Sequence, residues 1–273
     1  NDNGYDGLVI LNKIRHIRVE DSRITVGSGV FIEDLLNFCI ENSLSGFEWA
    51  GGLPGTIGGA VRGNAGAFGG EIKDVVMQIL SLDTETLEIK KRNNTECDFG
   101  YRNSFFKINP NEIIIETVLS LKKGNKDKIE NQINEKIEYR KLKHPNIHKE
   151  PNIGSTFKNI PAFAKAASFA EEASEAESAG GPVENLPESV AEEFKDKIKT
   201  DPFPVLPAVK LIAGSGMTGE REGDIMVSSM HPNYLVNTGH GKSSDVLSLI
   251  NKIKTAVKKK YGVELEEEIT IIN

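Results

Sequence analysis

The chain has 273 residues, with 40 acidic against 33 basic side chains and a formal net charge of −7. That sign argues against general nucleic-acid binding, which needs Lys and Arg clustered in excess, and no apolar run approaches the ~20 residues of a membrane helix. Cys39 and Cys97 are too few for a disulfide framework, so a cytoplasmic location is expected, and ~150 residues per domain gives about two domains.

In chain order, Asn1 to Gly7 have neither the basic stretch nor the apolar core of a signal peptide. The chain opens without Met in a turn-like cluster and is expected to be a segment of something longer. Short β-rich runs at residues 8–11, 16–20 and 24–26 lead into a helix whose Ile32, Leu35, Leu36, Cys39 and Ile40 share one face. After a glycine-rich block, residues 75–82, 86–91 and 113–121 read as strands. Ile129, Ile133 and Ile137 predict a helix ending near Arg140. Pro145 and Pro151 then break regular structure, so a first domain (residues 1–142) gives way there to a second (143–273). Residues 162–179 hold eight alanines with Glu171, Glu172, Glu175 and Glu177, ahead of Gly180, Gly181 and Pro182. This insertion near 162–182 reads either as a solvated helix or as a loosely attached arm. A helix over 187–199 is expected to turn Val190, Phe194 and Ile198 inward. In the last helix Ser243 or Ser244 is the expected cap, Val246, Ile250, Ile253 and Val257 the inward face, and Gly262 the stop. Strands with helices at intervals make the class α+β.

Ten of the 26 glycines fall between Gly46 and Gly70. Glycine permits φ > 0 and lets a ligand approach the backbone closely. Gly52, Pro54, Gly55, Thr56, Gly58, Gly59 and Ala60 could turn backbone N–H groups and a hydroxyl toward a diphosphate; a tight loop packed against a sheet is the other reading. The run fits neither the Walker loop nor the Gly-x-Gly-x-x-Gly fingerprint. Asn64, Gly66 and Ala67 continue the small-residue theme and would let a flat ring lie close to the chain. No metal is expected: His144 and His148 stand four apart, but Pro145 between them disrupts a helical ligand pair.

The stretch from Gly46-Phe47-Glu48 to Gly70-Glu71-Ile72 resembles the flavin-binding signature of the UDP-N-acetylenolpyruvoylglucosamine reductase family, the UDP-N-acetylmuramate dehydrogenases. Three further blocks follow in the order that family requires. Tyr101-Arg102-Asn103-Ser104-Phe105-Phe106 is similar to its Tyr-Arg-x-Ser-x-Phe block, and Gly154-Ser155-Thr156-Phe157-Lys158-Asn159 to its Gly-Ser-x-Phe-Lys-Asn block. Leu265-Glu266-Glu267-Glu268-Ile269 is similar to its C-terminal Leu-x-x-Glu-Val. The resemblance implies a partial FAD-binding domain of the vanillyl-alcohol-oxidase/PCMH type followed by a C-terminal α+β substrate-binding domain. It also implies FAD as cofactor, NADPH as reductant, and conversion of UDP-N-acetylglucosamine enolpyruvate to UDP-N-acetylmuramate in peptidoglycan precursor synthesis. A monomer without nucleic-acid or membrane partners is expected.

In the implied chemistry, hydride from the flavin N5 reaches C3 of the enolpyruvyl ether and carbanion character develops at C2, delocalised into the neighbouring carboxylate. Such a transition state needs donors on the carboxylate and a proton source at C2. By position in the motifs, Ser155 is the implied proton donor, Arg102 the fork of donors on the carboxylate, and Glu268 the acid that assists the enol. Tyr101, Lys158 and Asn159 would serve substrate binding. Without the resemblance, Ser155 is a turn residue, Arg102 a surface or ion-paired arginine, and Glu268 part of a charged strand end. A truncated UDP-sugar-binding remnant and another FAD-linked oxidoreductase of the same superfamily are the competing readings.

Two features depart from the family pattern. Its Gly-Gly-Gly-Ser-Asn turn belongs just before the segment like residues 1–10, so the first lobe of the flavin domain is expected upstream. If that lobe were absent, weak flavin binding would be the expectation. Ile160 stands where the family has proline, and residues 162–179 have no counterpart.

Overall fold

The structure, a computed structural model, describes residues 2–162, 186–200 and 203–272. They divide into two units: residues 9–140, and residues 2–8 together with those described from 141 onward. The Ala/Glu-rich insertion expected near 162–182 lies outside the described residues but for its first position.

In the first unit, β1 (Ile17–Glu20), β2 (Arg23–Gly27), β3 (Val76–Asp83), β4 (Ile89–Asn93) and β5 (Glu112–Ser120) form one antiparallel sheet. Its order is β1-β2-β5-β3-β4. Alternation marks the covered face: Ile24 and Val26 of β2 are buried and Arg23 is exposed. Over that face lies α1 (Ile32–Glu41), which buries Ile32, Leu35, Leu36 and Cys39 as the spacing predicts. The helix α2 (Ile57–Arg62) adds Ile57 and Val61 to the same core. The helix α3 (Lys126–Lys143) runs three residues past its expected end; it stops where His144 precedes Pro145, since proline disfavours helical geometry in the residue before it. Residues 8–11, expected as a strand, lie outside regular structure, and their four apolar side chains are exposed.

An ion pair fastens the edge of this sheet. Arg92 on β4 donates to both oxygens of Glu112 on β5, at 2.5 and 3.0 Å, and stacks over the Phe105 ring at 3.7 Å. Ser81 adds a donor at 2.7 Å. The guanidinium holds the Glu112 carboxyl below its ordinary value, against the opposing effect of burial. A depressed carboxyl stabilises the fold above its unfolded value, ~4.3, and that contribution disappears as pH falls through the folded value. Glu112→Gln is therefore expected to lower the melting temperature at neutral pH and to flatten its decline in acid. An acid limb identical to wild type would show that the carboxylate contributes nothing.

In the second unit, β6 (Asn152–Ser155), β7 (Arg221–Glu222), β8 (Ile225–Val227) and β9 (Tyr234–Asn237) pair antiparallel in the order β6-β9-β8-β7. Among the described residues the helices are α4 (Glu188–Glu193), α5 (Ala208–Gly214) and α6 (Ser243–Tyr261), and the core joins Leu211, Ile212, Leu249, Ile253 and Val257 to Phe157 and Leu235. The helix expected over 187–199 is shorter: α4 ends at Glu193, and Phe194 packs edge-on against Tyr261 with ring centroids 5.6 Å apart. Ser243 opens α6 instead of capping it. The Asp2 carboxylate accepts the N–H groups of Ser243 (2.8 Å) and Ser244 (3.4 Å), and those bonds hold it below its ordinary value. Gly262, at φ +70°, ends α6 as expected. Among the described residues no helix is long and apolar enough to cross a membrane.

Candidate active site

The glycine loop of the first unit serves two purposes. At Gly58 an added Cβ would lie 2.9 Å from Ser28 Cβ and 3.0 Å from its carbonyl oxygen, and at Gly70 one would lie 2.4 Å from the Trp49 ring. Packing dictates those two glycines. At Gly55 (φ +113°) a Cβ would meet nothing within 4 Å among the described residues, so the backbone there stands open. Ile57 and Gly58 donate their N–H groups to Val30 and Ser28, both at 2.9 Å, and the Thr56 hydroxyl accepts the Gly59 N–H at 3.3 Å. Among the described residues the N–H groups of Gly52, Gly55 and Thr56 find no acceptor. Three such donors beside an open glycine suit the oxygens of a diphosphate, so the loop fits the diphosphate of a flavin dinucleotide.

The next block carries Arg102. Asn64 is fully buried; its Nδ2 donates to the Gly100 carbonyl at 2.9 Å and its Oδ1 accepts the Lys73 N–H at 3.2 Å. The carboxamide therefore faces inward and anchors the turn over Gly100 to Asn103, whose two ends exchange backbone bonds of 3.0 and 3.1 Å. Within that turn Arg102 adopts a left-handed backbone, φ +55°. Its Nη2 donates to the Gly66 carbonyl at 3.0 Å, and its guanidinium carbon lies 5.2 Å from the centre of the buried Tyr101 ring. Arg102, Tyr101, Asn64, Gly66 and Ala67 thus form one neighbourhood. Asn64→Ala would remove both bonds and deprive the Lys73 N–H of its acceptor, while the Gly100 carbonyl keeps the Asn103 N–H, and is expected to destabilise the protein by ~1–3 kcal/mol. Denaturant unfolding reads this out; an unchanged midpoint would contradict it.

Ser155 closes β6 in the second unit. The register runs Asn152↔Val236 and then Ser155↔Tyr234, three residues against two, with Gly154 at φ +76° forming a bulge. Beyond the bulge the chain lies along the C-terminal segment. The Thr156 carbonyl accepts the Glu268 N–H at 2.8 Å, and Lys158 donates its N–H to Glu266 at 2.9 Å. This sorts the three glutamates: Glu266 pairs with the Lys158 ammonium and Glu267 with Lys254 at 2.9 Å. Glu268, half-buried, stands opposite the residue next to Ser155. Asn159 accepts the Ala208 N–H at 3.2 Å, at the start of α5, and together with Lys158, Lys254 and Leu265 it lines a cavity of ≈ 360 Å³.

Side chains opposite one another on antiparallel strands share a face, so Tyr234 borders Ser155. The Tyr234 hydroxyl lies 3.3 Å from His144 Nδ1, and the His231 ring packs against both rings. Burial pushes the His231 imidazole down. Ser228 and Asn237 brace turns: the Ser228 hydroxyl accepts the His231 N–H at 3.3 Å, and Asn237 accepts those of Gly239 and Gly241. In the sequence Asn233 and Tyr234 stand in a block, residues 231–237, that adds weaker support to the family resemblance, and sequence reasoning gives neither a role. Their link to Ser155 is spatial, since it appears only once β6 and β9 are in register.

Two family models match the chain: "UDP-N-acetylenolpyruvoylglucosamine reductase, C-terminal domain" over residues 145–272, and "FAD binding domain" over residues 2–86. The UDP-N-acetylenolpyruvoylglucosamine reductase of Clostridium tetani is 34% identical over 272 residues, spanning 99% of this chain and 73% of that protein. That of Caldanaerobacter subterraneus is 33% identical, with 99% and 74% covered. A crystal structure of the enzyme from Thermus caldophilus superposes with a TM-score of 0.64 at 27% identity, covering 89% of this chain and 70% of the other. The four motif blocks, the two domain matches and the extent of these alignments agree: the chain belongs to the UDP-N-acetylenolpyruvoylglucosamine reductase family, FAD-dependent oxidoreductases of peptidoglycan precursor synthesis.

Proposed function

We propose that this chain reduces the enolpyruvyl ether of UDP-N-acetylglucosamine enolpyruvate to UDP-N-acetylmuramate with NADPH, as a monomer in the cytoplasm. The observation that carries the reading is the backbone pairing of Thr156 with Glu268, which sets a hydroxyl-bearing and a carboxyl-bearing position on neighbouring stretches of chain. The free thiols Cys39 and Cys97 are both buried, and that burial pushes them up to about 12, which leaves them without reactive thiolate at neutral pH.

FAD, when bound, supplies the redox link between NADPH and C3 of the enolpyruvyl group. Its diphosphate would be held by the N–H groups of Gly52, Gly55 and Thr56, in a loop shaped by Pro54, Gly58, Gly59 and Ala60, with Gly66 and Ala67 leaving room for the ring. Arg102, oriented by its bond to the Gly66 carbonyl, offers a planar fork of donors to the substrate carboxylate and stabilises the charge that develops there. Ser155 Oγ gives its proton to C2, and the resulting alkoxide recovers one from solvent. Glu268 assists that protonation. Tyr101 supports Arg102, while Lys158 and Asn159 bind substrate from a backbone fixed by Glu266 and Ala208. Purified protein is expected to be yellow and to oxidise NADPH only when the enolpyruvyl nucleotide is present. Protein that takes up no FAD, or NADPH loss indifferent to that substrate, would overturn the proposal.

A further inference from the structure

The turn between β8 and β9 grips the backbone that follows Ser155, and we propose that Asn233 is a positioning residue for the Ser155 hydroxyl. The inference rests on the proton-donor reading of Ser155. Asn233 is 4% exposed, and every polar group of its side chain points at one stretch of chain. Its Oδ1 accepts the Phe157 N–H at 3.0 Å and its Nδ2 donates to the Phe157 carbonyl at 2.8 Å. Its own main-chain carbonyl accepts the Thr156 N–H at 2.8 Å. One residue therefore fixes both residues after Ser155, and the next residue, Tyr234, is the strand partner of Ser155 itself.

The bulge explains why such a clamp is needed. Between Asn152 and Ser155 the ladder slips by one residue, and Gly154 turns through φ +76° with nothing within 4 Å of where its Cβ would sit, among the described residues. Regular pairing is thereby lost on the N-terminal side of Ser155, so its direction depends on the C-terminal side. A carboxamide offers one acceptor and one donor, which reproduces a strand edge for the N–H and C=O of a single residue; a carboxylate or an aliphatic side chain cannot do both. The turn that presents Asn233 is itself closed. Ser228 donates its N–H to the Tyr234 carbonyl at 2.9 Å, Tyr234 donates to His231 at 2.8 Å, and the Ser228 hydroxyl accepts from Met230 and His231. Proton delivery is sensitive to this kind of support, since a misplacement of ~1 Å can slow a reaction ~10²-fold.

In the full FAD-loaded chain, Asn233→Ala is expected to lower turnover by ~10- to 10²-fold. KM for the enolpyruvyl nucleotide and the NADPH-dependent half-reaction should stay at wild-type values. On a Ser155→Ala background the same substitution should slow nothing further, because the group it positions is already gone. Amide exchange gives a reading independent of catalysis: the Phe157 N–H should exchange faster in Asn233→Ala, while that of Lys158, bonded to Glu266, keeps its rate. Asn233→Asp retains the acceptor for Phe157 and covers the case in which the alanine variant does not fold, with a smaller loss of the same kind. If Ser155→Ala itself keeps full turnover, the proton-donor reading fails. If Ser155→Ala is slow but both Asn233 variants run at full rate, or if their losses add to that of Ser155→Ala, the positioning role alone is overturned.

Discussion

Ser155→Ala is expected to slow reduction of the enolpyruvyl nucleotide by ~10² or more, the scale of a general-acid contribution. The loss should fall on one half of the reaction. A hydroxyl that serves C2 has no part in accepting reducing equivalents from NADPH, so single-turnover NADPH oxidation should match wild type while the substrate-dependent step becomes rate-limiting. The structure makes this a clean substitution. Ser155 is held by backbone pairing, with Tyr234 opposite and Asn233 gripping the two residues that follow, and none of those bonds involves its side chain. Stability should therefore change little. Equal slowing of both half-reactions would mean that the serine supports the site generally and does not deliver the proton.

The second large effect concerns Arg102. Arg102→Ala is expected to reduce kcat/KM for the enolpyruvyl nucleotide by ~10²-fold, since charge-assisted hydrogen bonds contribute ~1.5–3 kcal/mol each. Arg102→Lys should recover only part of this, because an ammonium keeps the charge and loses the planar fork. All three forms should retain the same flavin content and the same visible spectrum. Arg102 meets the glycine block through its bond to the Gly66 carbonyl, and Asn64 anchors the turn independently through Gly100. Loss of flavin in both variants would make Arg102 a support of the cofactor loop and not a ligand for the substrate.

The contrast between what the sequence announces and what it hides has a physical pattern. Elements governed by local periodicity are readable in advance: the buried face of α1, the alternating strands of the first sheet, and Gly262 as the end of α6. The motif residues Ser155, Arg102 and Glu268 are readable because they stand in short blocks of fixed spacing. What stays hidden depends on partners far along the chain. Asp2 caps a helix 241 residues away, so a local search settles on Ser243 or Ser244 instead. Phe194 turns inward as expected, yet its helix stops one residue before it, where it packs on Tyr261. Asn64 sits in a glycine-rich block that suggests a cofactor contact, yet both ends of its carboxamide bind inward to Gly100 and Lys73. The run at residues 8–11 has the composition of a strand but no pairing partner among the described residues, and composition alone makes no ladder. The three glutamates before Ile269 look alike in sequence; only the fold pairs Glu266 with Lys158 and Glu267 with Lys254 and sets the Glu268 N–H on the Thr156 carbonyl.

The most direct test is to run the reaction in D2O with unlabelled NADPH and to locate deuterium in the lactyl group of the product. A solvent-exchanging Ser155 hydroxyl predicts UDP-N-acetylmuramate carrying deuterium at C2, with product formation slowed by ~10² or more in Ser155→Ala. Product without deuterium at C2, or no substrate-dependent NADPH oxidation at all by the FAD-loaded chain, would contradict the account.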